Sequence, residues 1–294
     1  SSFLFNKKLR ANALVVSWLY HADILCLLFK LINPRSYWIS NVRNGDLGRG
    51  SSISSKFAFF ILKKLITFFV DDIIYCGSSI KKYHVSQGYP QKLGTVIHNG
   101  LPDEKMLLFK DVASVPTKLG YLGRFSSQKG IPHLLKVFKC LLGENPDLRL
   151  IMAGNGISAE NNELTQILDT LCLWNNIELL GELSDVSLFF NQIDILLSSS
   201  VYGEGFPNVI AEAVVNWVPV ISTSSGDSML IIGKFGTVVD ELDELLPATQ
   251  DFVSKWNKAD IINLGNAARQ RILDDFSTSK MINEYKKVFS KCVE

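Results

Sequence analysis

The feature that most constrains the fold is a regular alternation of short strand-forming runs and helical patterns from Thr117 onward. Glycines stand at the ends of several of these runs. The runs extend over Leu119 to Gly123, Leu148 to Ala153, Ile177 to Leu180, Ile193 to Leu197, Val218 to Ile221 and Thr237 to Val239. Such an alternation predicts a doubly wound parallel sheet, which binds ligands at the carboxyl ends of its strands.

The same alternation occurs with fewer strands before this half. Strands are predicted at Leu14 to Ser17, Tyr37 to Val42, Ile73 to Cys76 and Thr95 to Ile97. Because a doubly wound domain usually has more strands, we expect the first domain to be incomplete. The chain also begins with Ser1 rather than methionine, which suggests a truncated product. The polar stretch from Leu101 to Pro116, with two prolines, is predicted to be the linker.

Composition sets the outer limits of the interpretation. A length of 294 residues with 47% hydrophobic content is enough for two domains with substantial cores. The 30 basic and 29 acidic side chains leave a net charge of +1, so no global field attracts nucleic acid. Five cysteines without a C-x-x-C pair and four histidines outside any cluster indicate a reducing, cytoplasmic compartment and no structural metal.

Two apolar runs raise the question of a membrane. The run from Ala13 to Ile32 carries charged residues, and the run from Phe57 to Val70 is 14 residues long and interrupted by two lysines. Neither is predicted to cross a membrane. The second run is interpreted as a packed helix, and the alternative is a helix that lies on the inner membrane face with its lysines near lipid phosphates.

The segment from Tyr202 to Glu212 carries two carboxylates eight positions apart. Pro207 suits the first turn of a helix, and Ile210, Ala213, Val214 and Trp217 then recur at helical spacing. Glu212 is rotated by about 200° from Ile210, so it is expected to point away from this apolar stripe. Both carboxylates then face a ligand at the helix N-terminus, where free N–H groups suit a sugar phosphate. The alternative is that both acids only favour the helix dipole.

A second motif follows the first strand of the later half, from Gly120 to Gly130. Arg124 and Lys129 lie on either side of the turn into the next helix. Two cations at that position are able to neutralise a diphosphate, and the alternative is a surface pair near a helix start. Glycine turns at the next two strand ends, which include Asn155 and Leu183, are weaker signals that leave room for a base.

These motifs together resemble those of the retaining, nucleotide-sugar-dependent glycosyltransferases of family 4. The resemblance rests on Gly120-x-x-Gly-Arg124-Phe-x-x-x-Lys129-Gly130 and Glu204-Gly-Phe-Pro-x-x-x-x-Glu212-Ala, with Val96-Ile-His-Asn-Gly100 before them. It implies an α/β protein of the GT-B fold, with two Rossmann-like doubly wound domains. The implied domains are residues 1–113, incomplete and on the acceptor side, residues 114–277, which bind the donor, and a helix in 278–294 that crosses back.

The resemblance also implies roles for individual residues. Arg124 and Lys129 hold the donor's diphosphate, Glu204 contacts the donor sugar, and Glu212 contacts the ribose. The remaining donor-binding candidates are Gly123, Gly205, Phe206, Pro207, Asn208 and Val209, with Asn155 and Leu183 as tentative additions. Many family members have a histidine after the second predicted strand, where this chain has Asn41-Val-Arg43-Asn44, so Arg43 is a tentative charge at the reacting centre.

The expected function is transfer of a hexose from a nucleoside diphosphate to a glycan or lipid-linked acceptor, with retention and without a metal or other cofactor. Family members often act in bacterial surface polysaccharide synthesis. The alternatives are a sugar-nucleotide epimerase of the GT-B fold and a non-catalytic fragment that binds nucleotide sugars. Donor base, acceptor and the activity of the truncated chain are left open at this stage.

Overall fold

The computed structural model describes residues 13–45, 47, 52–102, 106 and 110–291. The chain divides into two compact units. The first unit comprises Ser1–Asn99, Tyr202–Phe206 and Ser279–Glu294, and the second comprises Gly100–Val201 and Pro207–Thr278. The domain boundaries expected from the resemblance lie after residues 113 and 277.

Within the described residues, the first unit contains a four-stranded sheet in the order β1-β2-β3-β4, and every pairing is parallel. The strands are β1 (Leu14–Trp18), β2 (Tyr37–Val42), β3 (Asp72–Tyr75) and β4 (Thr95–Val96). The helices of this unit are α1 (Leu19–Ile32), α2 (Ile53–Phe69) and α3 (Ser78–Ser86), together with nearly all of a C-terminal helix described below.

Side chains of this sheet alternate between two apolar layers. Trp38 and Val42 pack in a cluster with Leu62 of α2, whereas Ile39 points into a second cluster with Val288. Val288 belongs to the C-terminal helix α11 (Thr278–Ser290). Both faces of the parallel sheet are therefore covered, as such sheets require.

The described part of the second unit contains a six-stranded parallel sheet in the order β10-β9-β8-β5-β6-β7. Its strands are β5 (Lys118–Leu122), β6 (Arg149–Ala153), β7 (Ile177–Leu179), β8 (Ile195–Ser198), β9 (Val220–Thr223) and β10 (Gly236–Val239). The order proceeds outward from β5 in one direction and from β8 in the other. The sheet therefore has a topological switch point between these two strands, where open α/β sheets bind ligands.

Helices α4 to α10 connect the strands of the second unit. They are α4 (Ile131–Glu144), α5 (Asn162–Leu171), α6 (Ser187–Gln192), α7 (Asn208–Val215), α8 (Ser228–Ile232), α9 (Leu245–Ser254) and α10 (Lys258–Phe276). Local sequence explains where α5 begins, because the Asn161 side chain caps it by accepting hydrogen bonds from the N–H groups of Glu163 and Leu164. In α4, Ile131, Leu134, Leu135, Phe138 and Leu141 recur at helical spacing and are buried.

The predicted α/β architecture with two parallel-sheet units is confirmed, and each predicted strand is present within about two residues of its expected bounds. That Leu101 to Pro116 is the linker stays a prediction, and its described residues pack within the second unit. Leu101 is buried and pairs with Ser277, and the buried Lys110 donates to the carbonyls of Phe190 and Ile193, at 2.6 Å each. Burial lowers the pKa of Lys110 to about 8.

In the part of the chain that the structure covers, no helix has the length and apolar character needed to cross a membrane. Over the same residues, no group of three or more His, Cys, Asp and Glu side chains is arranged to hold a metal ion.

Candidate functional site

The switch point between β5 and β8 holds a tight turn that begins the site. After β5 the chain forms a short 3₁₀ helix, Ser127–Lys129, and Gly130 then adopts a left-handed conformation with φ of 61°. A Cβ at Gly130 would lie 2.3 Å from the carbonyl oxygen of Ser199, which follows β8. Only glycine therefore allows this turn and the loop after β8 to approach so closely.

Hydrogen bonds join the same two segments. Ser199 Oγ donates to the carbonyl of Lys129 at 2.7 Å, and the Val201 N–H donates to the carbonyl of Gln128 at 2.8 Å. Thr223, which ends β9, donates through Oγ1 to the carbonyl of Ser200 at 2.6 Å. The carboxyl ends of β5, β8 and β9 are thus tied together around the turn that carries Lys129.

The two predicted cations differ in their surroundings. The Lys129 side chain is half-buried and lies close to Gly123, since a Cβ at Gly123 would be 3.6 Å from Lys129 Cε. Arg124 is exposed, and its carbonyl accepts a bond from the Tyr121 hydroxyl at 3.3 Å. Lys129 is therefore held at the strand end by its surroundings, whereas the Arg124 guanidinium extends into solvent.

Asn155 lies on the other side of the same turn. The Phe125 N–H donates to the Asn155 carbonyl at 2.8 Å, and Asn155 Nδ2 donates to Glu182 Oε2 at 3.1 Å. Leu183 is half-buried next to that glutamate in the chain. The ends of β5, β6 and β7 are consequently joined as well. That Asn155 and Leu183 lie beside the base of the nucleotide stays a prediction.

Helix α7 begins at the carboxyl edge of the same unit. Pro207 is its N-cap rather than a residue of its first turn, which corrects the expectation, and no side chain caps the helix. Asn208 is exposed and Val209 half-buried, so the first N–H groups of the helix lie near the surface. Such a terminus favours an anion because its N–H groups have no carbonyl partner within the helix.

That Glu212 points away from the apolar stripe towards a ligand stays a prediction, but the residue does not lie at the protein surface. Glu212 is only 6% exposed, and every residue from Ile210 to Val215 is buried. The cause is that α7 packs against α8, α10, β8 and β9, so it has no solvent-facing side after its first two residues. The Glu212 carbonyl also accepts a bond from Asn216 Nδ2 at 2.8 Å.

Glu204, Gly205 and Phe206 belong to the first unit by their contacts. The Gly45 N–H donates to the Gly203 carbonyl at 3.3 Å, and a Cβ at Gly45 would lie 2.5 Å from the carbonyl oxygen of Glu204. Phe206 is buried with its ring 5.5 Å from that of His98. That Glu204 and Glu212 act on one ligand stays a prediction, because they lie in different units.

Arg43 follows β2 in the first unit. Its Nη2 donates to Asn99 Oδ1, and its guanidinium lies 5.3 Å from the centre of the Trp18 ring. Sequence reasoning did not single out Trp18, nor Ser199 and Thr223 in the second unit, and it gave Asn99 no role although Asn99 lies in the Val96 to Gly100 motif. The available signal was their common position at the carboxyl ends of predicted strands.

Comparison with known families identifies the second unit. The family model described as "Glycosyl transferases group 1" matches residues 109–269, which is more than half of the chain. The chain belongs to this family. The candidate residues of this glycosyl transferase group 1 member from Gly123 to Glu212 lie inside the matched region, and Arg43 lies outside it.

Relatives of this group 1 chain include polysaccharide enzymes. The capsular polysaccharide biosynthesis glycosyltransferase CapM of Staphylococcus aureus is 25% identical over 257 residues, which are 80% of this chain and 65% of CapM. The chain therefore spans just under two thirds of CapM. HepE of Anabaena, solved in complex with UDP-glucose, has a TM-score of 0.79 at 18% identity, covering 95% of this chain and 78% of HepE.

A third similar structure is an enzyme with a different kind of name. Sucrose-phosphate synthase from Thermosynechococcus elongatus has a TM-score of 0.79 at 16% identity, covering 95% of this chain and 73% of the synthase. At these identities the structural likenesses establish the GT-B fold and leave the substrate to other arguments.

Proposed function

We propose that this protein transfers a sugar from a nucleoside diphosphate donor to an acceptor hydroxyl, with retention at the anomeric carbon. Membership of the glycosyl transferases group 1 family supports transfer, and CapM supports a role in surface polysaccharide synthesis. HepE, which binds UDP-glucose, supports a uridine donor as the first candidate. The acceptor in this proposal is a glycan or a lipid-linked glycan.

The observation that carries the proposal is the position of Lys129 at the switch point. Its side chain lies near Gly123 in a turn that is bonded to the loop after β8, within the unit that also contains the N-terminus of α7. In this proposal a diphosphate there meets a partly buried cation, on a turn whose backbone is bonded to the loop after β8, and a helix terminus. Fixed positive groups are most effective where negative charge develops during a reaction.

The chemistry follows from the charge that must be stabilised. The bond between the anomeric carbon and the β-phosphate oxygen breaks, and the diphosphate leaves with the bonding electrons. The acceptor oxygen forms the new bond on the same face of the sugar, and its proton passes to the leaving diphosphate. Lys129, Arg124 and the N–H groups of Asn208 and Val209 stabilise the added charge, Glu204 orients the donor sugar, and Glu212 orients the ribose.

The proposed acceptor side includes a surface contact with a membrane. Helix α2 presents exposed apolar side chains, among them Ile53 at 86% and Phe68 at 78%, together with Phe57 and Phe60. Lys63 and Lys64 lie within 5.3 Å of the Phe60 ring centre, and α2 contains no acidic residue. An exposed apolar face that also carries lysines suits the surface of an anionic bilayer.

The proposal is tested with labelled UDP-, GDP- and ADP-sugars and a panel of glycan acceptors. Transfer with a retained anomeric configuration, measured by nuclear magnetic resonance of the product, is the expected result. Isomerised donor would instead indicate an epimerase, and binding without turnover would indicate a binding protein.

The residue test is Lys129→Ala. Loss of one fixed charge-stabilising group is expected to lower kcat/KM by about a hundredfold. Lys136→Ala, which removes an exposed lysine of the neighbouring helix α4, is the matched control and should keep full activity. Full activity in Lys129→Ala would remove the assignment of the diphosphate to this turn.

A further inference from the structure

The carboxyl edge of the first sheet has a charged cluster of its own. Trp18 ends β1, Arg43 follows β2 and Asn99 follows β4. Because the strands are parallel, these three positions lie at one edge of the sheet. Arg43 joins them, since it donates to Asn99 and stacks its guanidinium over the Trp18 ring at 5.3 Å.

The Trp18 ring is fixed but remains accessible. It is 48% exposed, and its ring stacks on that of Tyr285 with centres 6.4 Å apart and planes 22° apart. Tyr285 is held in turn by Asn41 Nδ2, which donates to its hydroxyl at 2.6 Å. Leu19, the next residue after Trp18, has a φ of 71°, which is rare for a leucine. Such strain is concentrated at functional sites.

The cluster adjoins the loop that carries Glu204. A Cβ at Gly205 would lie 3.0 Å from the Arg43 carbonyl oxygen, so the backbone of Arg43 and that of Gly205 are in contact. Arg43 and Glu204 are therefore neighbours within the first unit. The backbone contact places Arg43 next to the segment that carries Glu204, the residue to which the proposed function assigns the donor sugar.

The chemistry of the pair specifies a ligand class. A guanidinium offers five N–H donors in a planar fork that matches a carboxylate or a phosphate. The Trp18 indole, which is 48% exposed although Arg43 and Tyr285 lie against it, offers an apolar surface beside the guanidinium, which suits a sugar ring. We propose that Trp18 and Arg43 bind an acceptor glycan that carries a negatively charged group, a carboxylate or a phosphate. The inference rests on the proposed function, because it names the acceptor class of that reaction.

The competing explanation is that Arg43 and Trp18 only fasten α11 to the sheet. The two explanations differ in whether charge on a sugar matters. The probes are methyl β-D-glucuronide, methyl β-D-glucoside and glucose 6-phosphate, and their binding is measured by saturation-transfer nuclear magnetic resonance. The first two probes differ only in the carboxylate, and the third tests a phosphate.

Wild-type protein is expected to bind the glucuronide or the 6-phosphate about tenfold more tightly than the glucoside. One charge-assisted hydrogen bond from Arg43 to the carboxylate or phosphate accounts for a difference of this size. Arg43→Gln should abolish this preference, and Arg43→Lys should retain part of it. Arg35→Gln removes an exposed arginine of the same unit and should change nothing. Trp18→Ala should weaken all three probes to a similar extent, whereas Trp18→Phe should retain binding.

A wild-type protein that does not distinguish charged from neutral probes would overturn the proposal, and so would an unchanged preference in Arg43→Gln. If Arg43→Gln does not fold, Trp18→Ala decides, because unchanged binding of the probes would then contradict the site. Binding of UDP is measured in parallel. Absence of UDP binding would count against the proposed donor site alone, since the preference between probes is read without a donor.

Discussion

Cys172 is a residue whose backbone is poorly suited to its side chain. It caps the C-terminus of α5 with a φ of 52° and is exposed to solvent. Helices commonly end with a glycine in this left-handed conformation, because a Cβ is strained there. The thiol adds little stability to the fold, because its hydrogen bond to the Asp169 carbonyl is long, at 3.6 Å.

Cys172→Gly is therefore expected to raise the free energy of unfolding by about 0.5 to 1 kcal/mol. The measurement is urea denaturation followed by circular dichroism. Cys172→Ala is the matched control, because it also removes the thiol but retains the Cβ. Equal stabilities of the two variants would show that the backbone strain is absent.

Asp23 is a buried acid in the first unit. Ser40 Oγ donates to its Oδ1 at 2.9 Å, and Ser17 donates to the same oxygen. Burial raises the pKa of Asp23 to about 6, although the two serine bonds act in the opposite direction. Because the folded state holds the proton more tightly than the unfolded chain, Asp23 stabilises the fold below about pH 4, and this stability is lost as the pH rises through 6.

The contribution of His84 to the stability of the fold changes with pH in the opposite direction. His84 is buried, it bonds to the Tyr20 hydroxyl at 2.8 Å, and burial lowers its pKa to about 4. Its unfolded form takes up a proton near pH 6.5, so stability falls as the pH decreases from there through 4. The two groups thus partly cancel each other in the wild-type protein between pH 4 and 6.5.

Asp23→Asn should leave the His84 contribution as the main cause of the pH dependence of stability among these two groups. Relative to the wild type, the variant is expected to gain about 2 kcal/mol in the free energy of unfolding between pH 4 and 7.5, because only the wild type loses the Asp23 contribution. Urea denaturation across this range is the measurement. Asp147→Asn, at an exposed position, should show no such trend. A pH-independent difference for Asp23→Asn would contradict the shifted pKa.

At the scale of elements, apolar periodicity was sufficient to predict the strands and most helices. The buried positions of α4 are the apolar ones in its sequence, so its core face could be predicted directly. Helix α7 shows the limit of this reasoning. Its apolar stripe predicts one buried face, but neighbours on several sides also bury Glu212. Such enclosure depends on tertiary neighbours, which local periodicity does not contain.

The candidate site shows the same limit. The turn that carries Lys129 and Gly130 was predictable because glycine suits a strand-to-helix turn, whereas the roles of Arg124 and Lys129 at a phosphate stay predictions. The bond between Ser199 and the Lys129 carbonyl was not predictable, because it joins residues 70 positions apart. Trp18 and Arg43 likewise meet only through the strand order of the first sheet.

At the scale of the whole molecule, the apolar surface of α2 gives an expectation about location. The chain is expected to float with vesicles that contain phosphatidylglycerol and less with phosphatidylcholine alone. Phe57→Glu combined with Phe68→Glu should reduce this binding more than tenfold, since each phenyl ring contributes about 1.5 to 3 kcal/mol when buried.

The matched control for flotation is Met229→Glu, which changes an apolar side chain that is 62% exposed on the second unit. It should float like the wild type. Wild-type protein that stays at the bottom of the gradient, or a double variant that floats equally well, would remove the membrane from the proposed function.

The division of the chain into units has a consequence for how the protein is made. The sheet of the first unit comes from the start of the sequence, but its second apolar layer includes Val288 of α11. During translation, that layer cannot close until the ribosome has released α11. The first unit therefore finishes folding only after the strands of the second unit have been made, and termination before α11 would leave one face of the first sheet uncovered.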